Sequence, residues 1–311
     1  MIVVLCGGVG GSRFVRALAS VVGQERITAI VNTADDEEFH GLYVSPDPDI
    51  VTYALAGEVD EDRGWGFRDE TFRGLEHLAR FGRETWFQLG DRDLATHLHR
   101  TRRLREGASL SVVMAEIAGA FGVTARLLPM SDDPIRTIVE TDAGDMAFQR
   151  FLVERHARDA VRGVRFVGAD AARPAPGVLE AIAAAEAIFI APSNPIGSIG
   201  PILAVPGIRD AIAKATVARV AVSPIIGGRS LQPPAAEMMS GLGHSVDVAG
   251  VAGLYAGLID TLVIDDEDAA SADAVEEEGV HCVVTPTIMH DDGSRRSLAH
   301  AALAAAGLAI R

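Results

Sequence analysis

The residues nearest the N-terminus have the composition of a phosphate-binding loop. The stretch GGVGGSR (residues 7–13) follows a short apolar run and precedes apolar residues at helical spacing. Glycines let a backbone approach a phosphate closely, and the first turn of the next helix offers free N–H groups. Neither the third glycine of the dinucleotide fingerprint nor the Lys-Ser/Thr pair of a Walker A loop is present. A tight turn without ligand remains the alternative. The predicted phosphate contacts are Gly8, Gly10, Gly11 and Ser12.

Two acidic segments after the second apolar run have the composition of a magnesium site. They read NTADD (residues 32–36) and SPDPD (residues 45–49). Carboxylates just past strand ends suit Mg²⁺, which takes a few carboxylates together with water and substrate phosphates. In phosphoryl transfer that ion bridges phosphate oxygens and offsets developing charge. Each acid taken alone is equally explained as a loop or capping residue. Asp49 precedes an apolar run that reads as a helix, which favours a side chain pointing into a cleft.

Short polar groups also follow two later apolar runs, in APSNP (residues 191–195) and SPIIGG (residues 223–228). Ligands of open α/β sheets bind in the crevice at the carboxyl ends of the strands. Prolines restrict the backbone here, while serine and asparagine side chains offer hydrogen bonds. The predicted ligand contacts are Ser193, Asn194, Pro195, Ser223 and Gly227.

The segment LGDRDLATH (residues 89–97) combines alternating charge with the preceding Trp86 and Phe87. Alternating charge on a helix usually means solvated ion pairs, although the aromatic rings could stack on a flat ligand. His97 and His99 are two residues apart and do not share a helix face, so they make a poor metal pair. His97 alone is a candidate ligand contact. Because no protein nucleophile stands out, the chemistry predicted is positioning and electrostatics around a substrate hydroxyl.

These motifs need a parallel sheet to bring them together. Strand-length apolar runs lie at residues 2–6, 27–31, 187–191, 220–222, 262–264 and 282–284. Helix-like stretches between them, such as 199–215, imply right-handed crossovers. We therefore predict an α/β fold with a doubly wound, mostly parallel Rossmann-like sheet and a mixed, largely helical insertion. Residues 1–50 and 165–311 would form the nucleotide-binding core, and 51–164 the insertion, with hairpin strands at 135–140 and 146–153.

Composition limits the classes of function. The 311 residues are 48% hydrophobic, enough for a sizeable core, and no apolar stretch among them is long enough to cross a membrane. Since Met1 to Cys6 lacks a basic region and runs into glycines, we expect no signal peptide. Two cysteines are too few for a disulfide framework. The net charge of −15 disfavours a sequence-independent nucleic-acid binder. We expect a cytoplasmic protein without membrane or nucleic-acid partners. A homodimer is common for such folds.

Taken in order, the motifs resemble the 2-phospho-L-lactate transferases and their bacterial phosphoenolpyruvate-type relatives. They read GGVGGSR, NTADD, SPDPD, LGDRDLATH, LPMSDD, APSNPIGSIGPIL and SPIIGG, and span roughly residues 1–240. The resemblance implies transfer of a phosphoenolpyruvyl or 2-phospho-L-lactyl group from its guanosine diphosphate derivative to the hydroxyl of Fo. Fo is the deazaflavin 7,8-didemethyl-8-hydroxy-5-deazariboflavin. GMP would be released and Mg²⁺ required, as a step of coenzyme F-420 biosynthesis.

The resemblance also implies roles for individual residues. The second Asp of the SPDxD motif falls on Asp49, at the Fo and metal site, with Asp35 as the second metal ligand and Asp36 as a further catalytic carboxylate. The glycine loop and the SNP motif would line the crevice for GDP or GMP, and the insertion would form the deazaflavin side. The implied Fo contacts are Asp49, Gln88, Trp86, Asp91, Arg92 and His97. Many members have a basic residue in place of Gln88, and a basic residue followed by Gly-Pro-Ala in place of Gln232-Pro233-Pro234-Ala235.

Two other functions fit the same fold. A nucleotide-sugar or NAD-dependent enzyme would share the glycine-rich first turn, although the missing third glycine weighs against NAD. A nucleotide-sugar-binding regulatory protein without catalysis is the other alternative, and the LGDRDLATH segment favours the transferase. The identity of the transferred acid stays open among enolpyruvate, lactate and glycerate types.

Overall fold

The structure is a computed structural model that describes residues 1–308 of the chain. Its strands are β1 (Ile2–Cys6), β2 (Ile27–Val31), β3 (Glu37–Phe39), β4 (Leu42–Val44), β5 (Arg126–Pro129), β6 (Arg136–Thr141), β7 (Gly144–Ala147), β8 (Val161–Val167), β9 (Ala187–Ile190), β10 (Ala218–Val222), β11 (Ile225–Ile226), β12 (Arg229–Ser230), β13 (Thr261–Ile264) and β14 (His281–Val284). Its α-helices are α1 (Gly8–Val22), α2 (Pro46–Ala56), α3 (Arg73–Ala79), α4 (Asp93–Arg105), α5 (Leu110–Ala120), α6 (Val178–Ala183), α7 (Gly200–Ala204), α8 (Ile208–Ala213), α9 (Ala235–Gly241), α10 (Val248–Leu254), α11 (Ala272–Glu277) and α12 (Asp292–Ala305). Within residues 1–308, none of the helices has the length and apolar character that a membrane span needs.

Short apolar strands form the central sheet. β1 and β2 are buried along their whole length, as expected for strands covered by helices on both faces. Seven strands pair in the order β5-β2-β1-β9-β10-β13-β14, and every pair is parallel. This is the doubly wound, Rossmann-like order, in which the winding reverses between β1 and β9. The α/β fold class predicted from the sequence is confirmed.

Two apolar cores cover the faces of the sheet. Because side chains alternate along a strand, Val3 and Leu5 of β1 point into the core that contains α6 to α11. Ile2 and Val4 point into the opposite core, beneath α1, α2, α5 and α12. The helix that follows β1 and the turn that follows β9 therefore leave the sheet toward opposite faces.

The segment 51–164 contains helices and antiparallel strands. β6 pairs antiparallel with both β7 and β8 in a separate three-stranded sheet. The same segment also contributes β5, which pairs with β2 at one end of the central sheet. The division into a core at 1–50 and 165–311 and an insertion at 51–164 stays a prediction, and residues 309–311 lie outside the described part of the chain.

Two predicted elements differ from the structure. The stretch 199–215 forms two helices, α7 and α8, because Pro206 cannot continue a helix and Gly207 has φ +92°. The apolar stretch 146–153 is a strand only as far as Ala147, and a π-helical turn follows at Arg150–Glu154. That turn buries Phe151 completely in the core, so tertiary packing outweighs the local strand preference.

Candidate active site

A cavity lies where the order of the central strands reverses. β1 and β9 are parallel neighbours, and their carboxyl ends open a crevice because the following segments cover opposite faces. The cavity has a volume of about 850 Å³. Its walls come from the start of α2 and from the loops that follow β1, β2, β9, β10 and β14.

The glycine loop after β1 is packed tightly against the loop after β9. The Ser193 hydroxyl donates to the Gly7 carbonyl at 2.8 Å, and Ser193 Oγ lies 3.1 Å from the Gly7 N–H, which it accepts. A Cβ atom on Gly10 would lie 2.3 Å from the carbonyl oxygen of Pro192. Gly8 has φ +66°, a conformation that glycine adopts without strain. The glycines therefore allow the first turn of α1 to approach the neighbouring loop.

A pair of buried carboxylates, Asp35 and Asp47, lines the cavity beside this loop. The Asn32 amide joins them, donating to Asp35 Oδ2 at 3.0 Å and to Asp47 Oδ2 at 2.9 Å. Asp47 Oδ1 accepts the Gly8 N–H at 2.9 Å and so interacts with the start of α1. Asp35 Oδ1 is buried and has no hydrogen-bond partner within residues 1–308. We refer to Asp35 and Asp47 as the acidic pair.

Burial raises the pKa of both members of the acidic pair. For Asp35, burial is the larger cause and the charge of Asp47 adds to it, so its pKa lies well above the usual range. Burial raises the pKa of Asp47 to about 6, against the lowering effect of hydrogen bonds from Asn32 and Gly8. Neighbouring buried carboxylates are stabilised in their charged form by a bound cation. The unpartnered Asp35 oxygen and the all-oxygen donor set fit a hard divalent ion.

Asp36 and Asp49 lie behind the cavity wall. Asp36 accepts the Ser45 hydroxyl at 2.8 Å, and burial raises its pKa to about 7. Asp49 forms a buried ion pair with Arg100, whose two terminal nitrogens each donate to one Asp49 oxygen. Arg100 is 1% exposed. Asp49 is thus held by a guanidinium.

The side chains of Asp49, Asp93 and His97 form a buried group that could hold a metal ion, since their ligand atoms lie within 4.8 Å of one another. His97 Nδ1 lies 3.2 Å from Arg100 Nη1 and Nε2 lies 3.3 Å from Asp93 Oδ2. Because Arg100 has only donors, this geometry assigns the proton to Nε2. The Arg100 guanidinium already supplies positive charge to this group.

Some of the residues predicted to contact nucleotide line the cavity, and the others lie behind its surface and hold the loops in place. Those lining the cavity are Gly8, Gly10, Ser193, Asn194 and Ser223. Those outside the lining are Gly11, Ser12, Pro195 and Gly227. Asn194 Oδ1 accepts the N–H groups of Ile196 and Gly197, both at 3.0 Å, and holds the turn after β9. The Gly227 N–H donates to the Asp268 carboxylate at 3.0 Å and fixes the loop after β10.

Of the residues implied to contact the deazaflavin, Gln88 lines the cavity. Those outside the lining are Asp49, Trp86, Asp91, Arg92 and His97. Asp91 accepts the Gly74 N–H at 2.8 Å and holds the start of α3. Arg92 pairs with Glu58 at 3.1 Å. These charged side chains are therefore engaged in local contacts that shape the insertion.

An apolar wall, of which the sequence analysis singled out only Phe87, forms much of the remaining cavity surface. Trp65, Phe87 and Phe148 belong to it, and Trp65 is 39% exposed. Phe87 stacks on Phe39 with ring centroids 4.0 Å apart and an interplanar angle of 8°. Residues 287–290 after β14 also line the cavity. The rule that ligands bind at strand ends could have found that loop, whereas no motif signals Phe148.

The cavity can accept a phosphorylated ligand at the glycine loop and a flat apolar ligand against the aromatic rings. With no nucleophilic serine or cysteine on its surface paired to a base within the described residues, the site can position two substrates for direct transfer between them. Fold and site together define a Rossmann-like transferase.

Comparisons with known proteins identify its family. The family described as 2-phospho-L-lactate transferase CofD matches residues 2–300. The chain is 45% identical over 308 residues to a phosphoenolpyruvate transferase of Streptomyces griseus subsp. griseus, covering 97% of both chains. It is 40% identical over 297 residues to a 2-phospho-L-lactate transferase of Methanosarcina mazei, covering 96% of this chain and 97% of the relative. The protein belongs to the CofD family and is a transferase.

A solved structure supports the fold alone. A Bacillus halodurans protein of the upf0052 family superposes with a TM-score of 0.64 at 21% sequence identity, covering 97% of this chain and 98% of that one. The family assignment predicted from the ordered motifs is therefore confirmed by the sequence relatives, and the doubly wound architecture is shared more widely.

Proposed function

We propose that this enzyme transfers a phosphoenolpyruvyl group, or a 2-phospho-L-lactyl group, from its guanosine diphosphate derivative to the hydroxyl of Fo in coenzyme F-420 biosynthesis. The observation that carries the proposal is the acidic pair beside the glycine loop, in one cavity with an apolar aromatic wall. The higher identity to the Streptomyces enzyme than to the Methanosarcina enzyme favours phosphoenolpyruvate.

The donor would bind along the carboxyl ends of β1 and β9. Gly8, Gly10 and Asn194 surround the place where α1 begins, and backbone amides at a helix start suit phosphate oxygens. Ser193 supports this arrangement because it joins the two loops by hydrogen bonds in both directions. The nucleotide is thus assigned to the parallel sheet.

Mg²⁺ is assigned to the acidic pair. When bound there, it would supply positive charge that offsets the charge developing on the phosphate oxygens during transfer. Asp35 offers a buried oxygen to which no group of the described residues donates a hydrogen bond, and Asp47 lies next to the glycine loop. Asp49 is instead paired with Arg100, so we assign it, together with Asp36, to the support of the acidic pair.

The deazaflavin is assigned to the apolar wall. Its flat ring matches the rings of Phe87 and Trp65, and Gln88 offers hydrogen bonds beside them. With the ring placed there, the terminal hydroxyl would reach the phosphorus that bears the small acid. The new oxygen–phosphorus bond forms as the bond to GMP breaks. In a loose transition state the hydroxyl keeps its proton until late and then releases it to the departing GMP phosphate or to water.

Product analysis tests the proposal. The enzyme is incubated with Fo, Mg²⁺ and each guanylated acid in turn, and the Fo adduct and GMP are measured by mass spectrometry and chromatography. We expect an adduct with equimolar GMP, formed fastest from the enolpyruvate donor. Asp47→Asn should lower turnover by at least about 100-fold at saturating Mg²⁺, whereas Asp170→Asn, an exposed acid remote from the cavity lining, should not change it.

Two results would contradict the proposal. Absence of any Fo adduct, with tight binding of a nucleotide sugar, would identify a regulatory protein of the same fold. Full activity of Asp47→Asn would remove the acidic pair from the mechanism.

Both cysteines are free, which supports a reducing, cytoplasmic setting. The homodimer stays a prediction that analytical ultracentrifugation can measure.

A further inference from the structure

Arg13 is a cation that lines the cavity and has no protein partner in the described part of the chain. It lies on α1, lines the cavity, and is half-buried. Within residues 1–308 its guanidinium makes neither a hydrogen bond nor an ion pair; the nearby carboxylate of Glu61 is engaged by Arg16 and Arg295. An unpaired guanidinium offers up to five N–H donors in a planar fork that fits carboxylate and phosphate oxygens.

The other arginine of the cavity is already neutralised. Arg63 donates through Nε to Asp60 Oδ2 at 2.9 Å and through Nη2 to the Phe67 carbonyl at 2.9 Å. Arg63 also lies over the ring of Trp65 at 5.3 Å. Of these two arginines, Arg13 is therefore the one whose donors are not used by other residues between positions 1 and 308.

The surroundings of Arg13 leave room for a ligand and provide a second donor. A Cβ atom on Gly64 would lie 3.3 Å from Arg13 Nη2 and 3.8 Å from Gln232 Nε2, so these two donor groups converge on one glycine. Gly64 has no side chain, so only backbone occupies this place, and its φ of +78° disfavours any other residue there. A guanidinium and an amide at one point form a receptor for an oxyanion.

Charge around Arg13 favours an incoming anion. Burial lowers the pKa of Arg13 and the positive charge of Arg295 lowers it further, while the charge of Glu61 opposes both. A half-buried cation lacks full hydration, and the nearby Glu61 carboxylate is bound by Arg16 and Arg295 rather than by Arg13. A ligand oxyanion would supply the counter-charge.

The position of Arg13 separates it from the acidic pair. Arg13 lies five residues after Gly8, the residue whose N–H binds Asp47, which corresponds to about 7 Å along the helix axis. The cavity thus presents the acidic pair beside the start of α1 and the Arg13 guanidinium farther along that helix. A ligand with two anionic groups, one metal-bound and one direct, matches this arrangement.

We propose that Arg13, assisted by Gln232, binds an oxyanion of the donor substrate directly, either the carboxylate of the transferred acid or a diphosphate oxygen. The identity of the donor rests on the proposed function, whereas oxyanion binding by Arg13 does not. The carboxylate and the diphosphate oxygen are both oxyanions, and probes that carry only one of these groups distinguish them.

The test is isothermal titration of inorganic diphosphate, GDP and phosphoenolpyruvate, each with Mg²⁺, into wild type, Arg13→Gln, Arg13→Lys and Arg16→Gln. Arg16 is the matched control because it lies one turn along the same helix, outside the cavity lining, and is paired with Glu61. Thermal unfolding checks that every variant is folded. Arg13→Gln should weaken binding by about 10- to 100-fold, the size of a charge-assisted contact, and Arg13→Lys by less.

The pattern across probes gives the source. Loss for diphosphate and GDP identifies a diphosphate oxygen, and loss confined to phosphoenolpyruvate identifies the carboxylate of the acid. Arg13-dependent binding of diphosphate without any binding of GDP would support the inference about Arg13 and contradict the proposed function. Affinities of folded Arg13→Gln within twofold of wild type for all three probes, or no binding of any probe to wild type, would overturn the inference.

Discussion

Replacing Arg100 by methionine should destabilise the fold much more than the same change at an exposed arginine of α4. Arg100 is 1% exposed and Asp49 is 5% exposed, and they form a two-pronged ion pair. Removing one partner of a buried pair leaves an uncompensated charge, which costs about 3–5 kcal/mol. Arg102, on the same helix, has a side chain that is 80% exposed, pairs with Glu106 and serves as the control. Arg102→Met should change stability little.

Urea unfolding of each variant at several pH values measures the effect. Burial already raises the pKa of Asp49, and loss of the Arg100 charge should raise it further. A group with a raised folded-state pKa adds stability at low pH and loses it as pH rises through that value. The penalty of Arg100→Met should therefore be smaller at pH 5 than at pH 8.

A double variant tests whether the penalty comes from the unpaired charge. Asp49→Leu combined with Arg100→Met removes both charges, and such replacements of buried pairs are often neutral or stabilising. The double variant should recover most of the stability that Arg100→Met loses. A single-variant loss below about 1 kcal/mol, or a loss independent of pH, would refute the interpretation of this pair as a buried charge network.

Three further changes test the site. Gly10→Ala should destabilise the protein by about 1–3 kcal/mol in urea unfolding because its Cβ would meet a backbone carbonyl. The control, Gly119→Ala, lies in α5 with open space around it and should be neutral or stabilising. Equal stabilities of the two variants would contradict the packing argument. The metal-free protein should lose thermal stability as pH rises from 5 to 8. The reason is that Asp36 and Asp47 have folded-state pKa values of about 7 and about 6, above their unfolded values, and Mg²⁺ should oppose this loss. A thermal stability that rises over this pH range would contradict the assignment. Ser193→Ala should weaken GDP binding, measured by titration, by about tenfold through loss of the hydrogen bonds that join two loops, and unchanged affinity would argue against nucleotide binding there.

Much of the fold could be predicted because its signals are local. The apolar runs at 2–6 and 27–31 are strands over those same residues, since five consecutive buried positions leave little alternative in a parallel sheet. The glycine loop lies at the switch point because it directly follows the first strand. The break in the helix predicted at 199–215 also has local causes, Pro206 and Gly207, which the pattern of apolar residues outweighed in the prediction.

The acidic site shows where local reasoning stops. Asp47 and Asp49 belong to the same motif and the same first turn of α2. Because they are two positions apart in a helix, their side chains point in directions that differ by about 200° around the helix axis. Which of them faces the ligand depends on how α2 packs against α1. In the structure Asp47 faces the glycine loop and Asp49 faces Arg100.

The sequence by itself determined the fold class, the family and the order of the ligand-binding loops, because strand patterns and turn residues act over short distances. Only the tertiary structure decided which charged side chains are free. Asp91 contacts Gly74 and Arg92 contacts Glu58, residues distant from them in the chain, while Arg13 has no partner within residues 1–308. The physical reason is that a charge is neutralised by residues distant in the chain, and their proximity follows from packing rather than from spacing along the sequence.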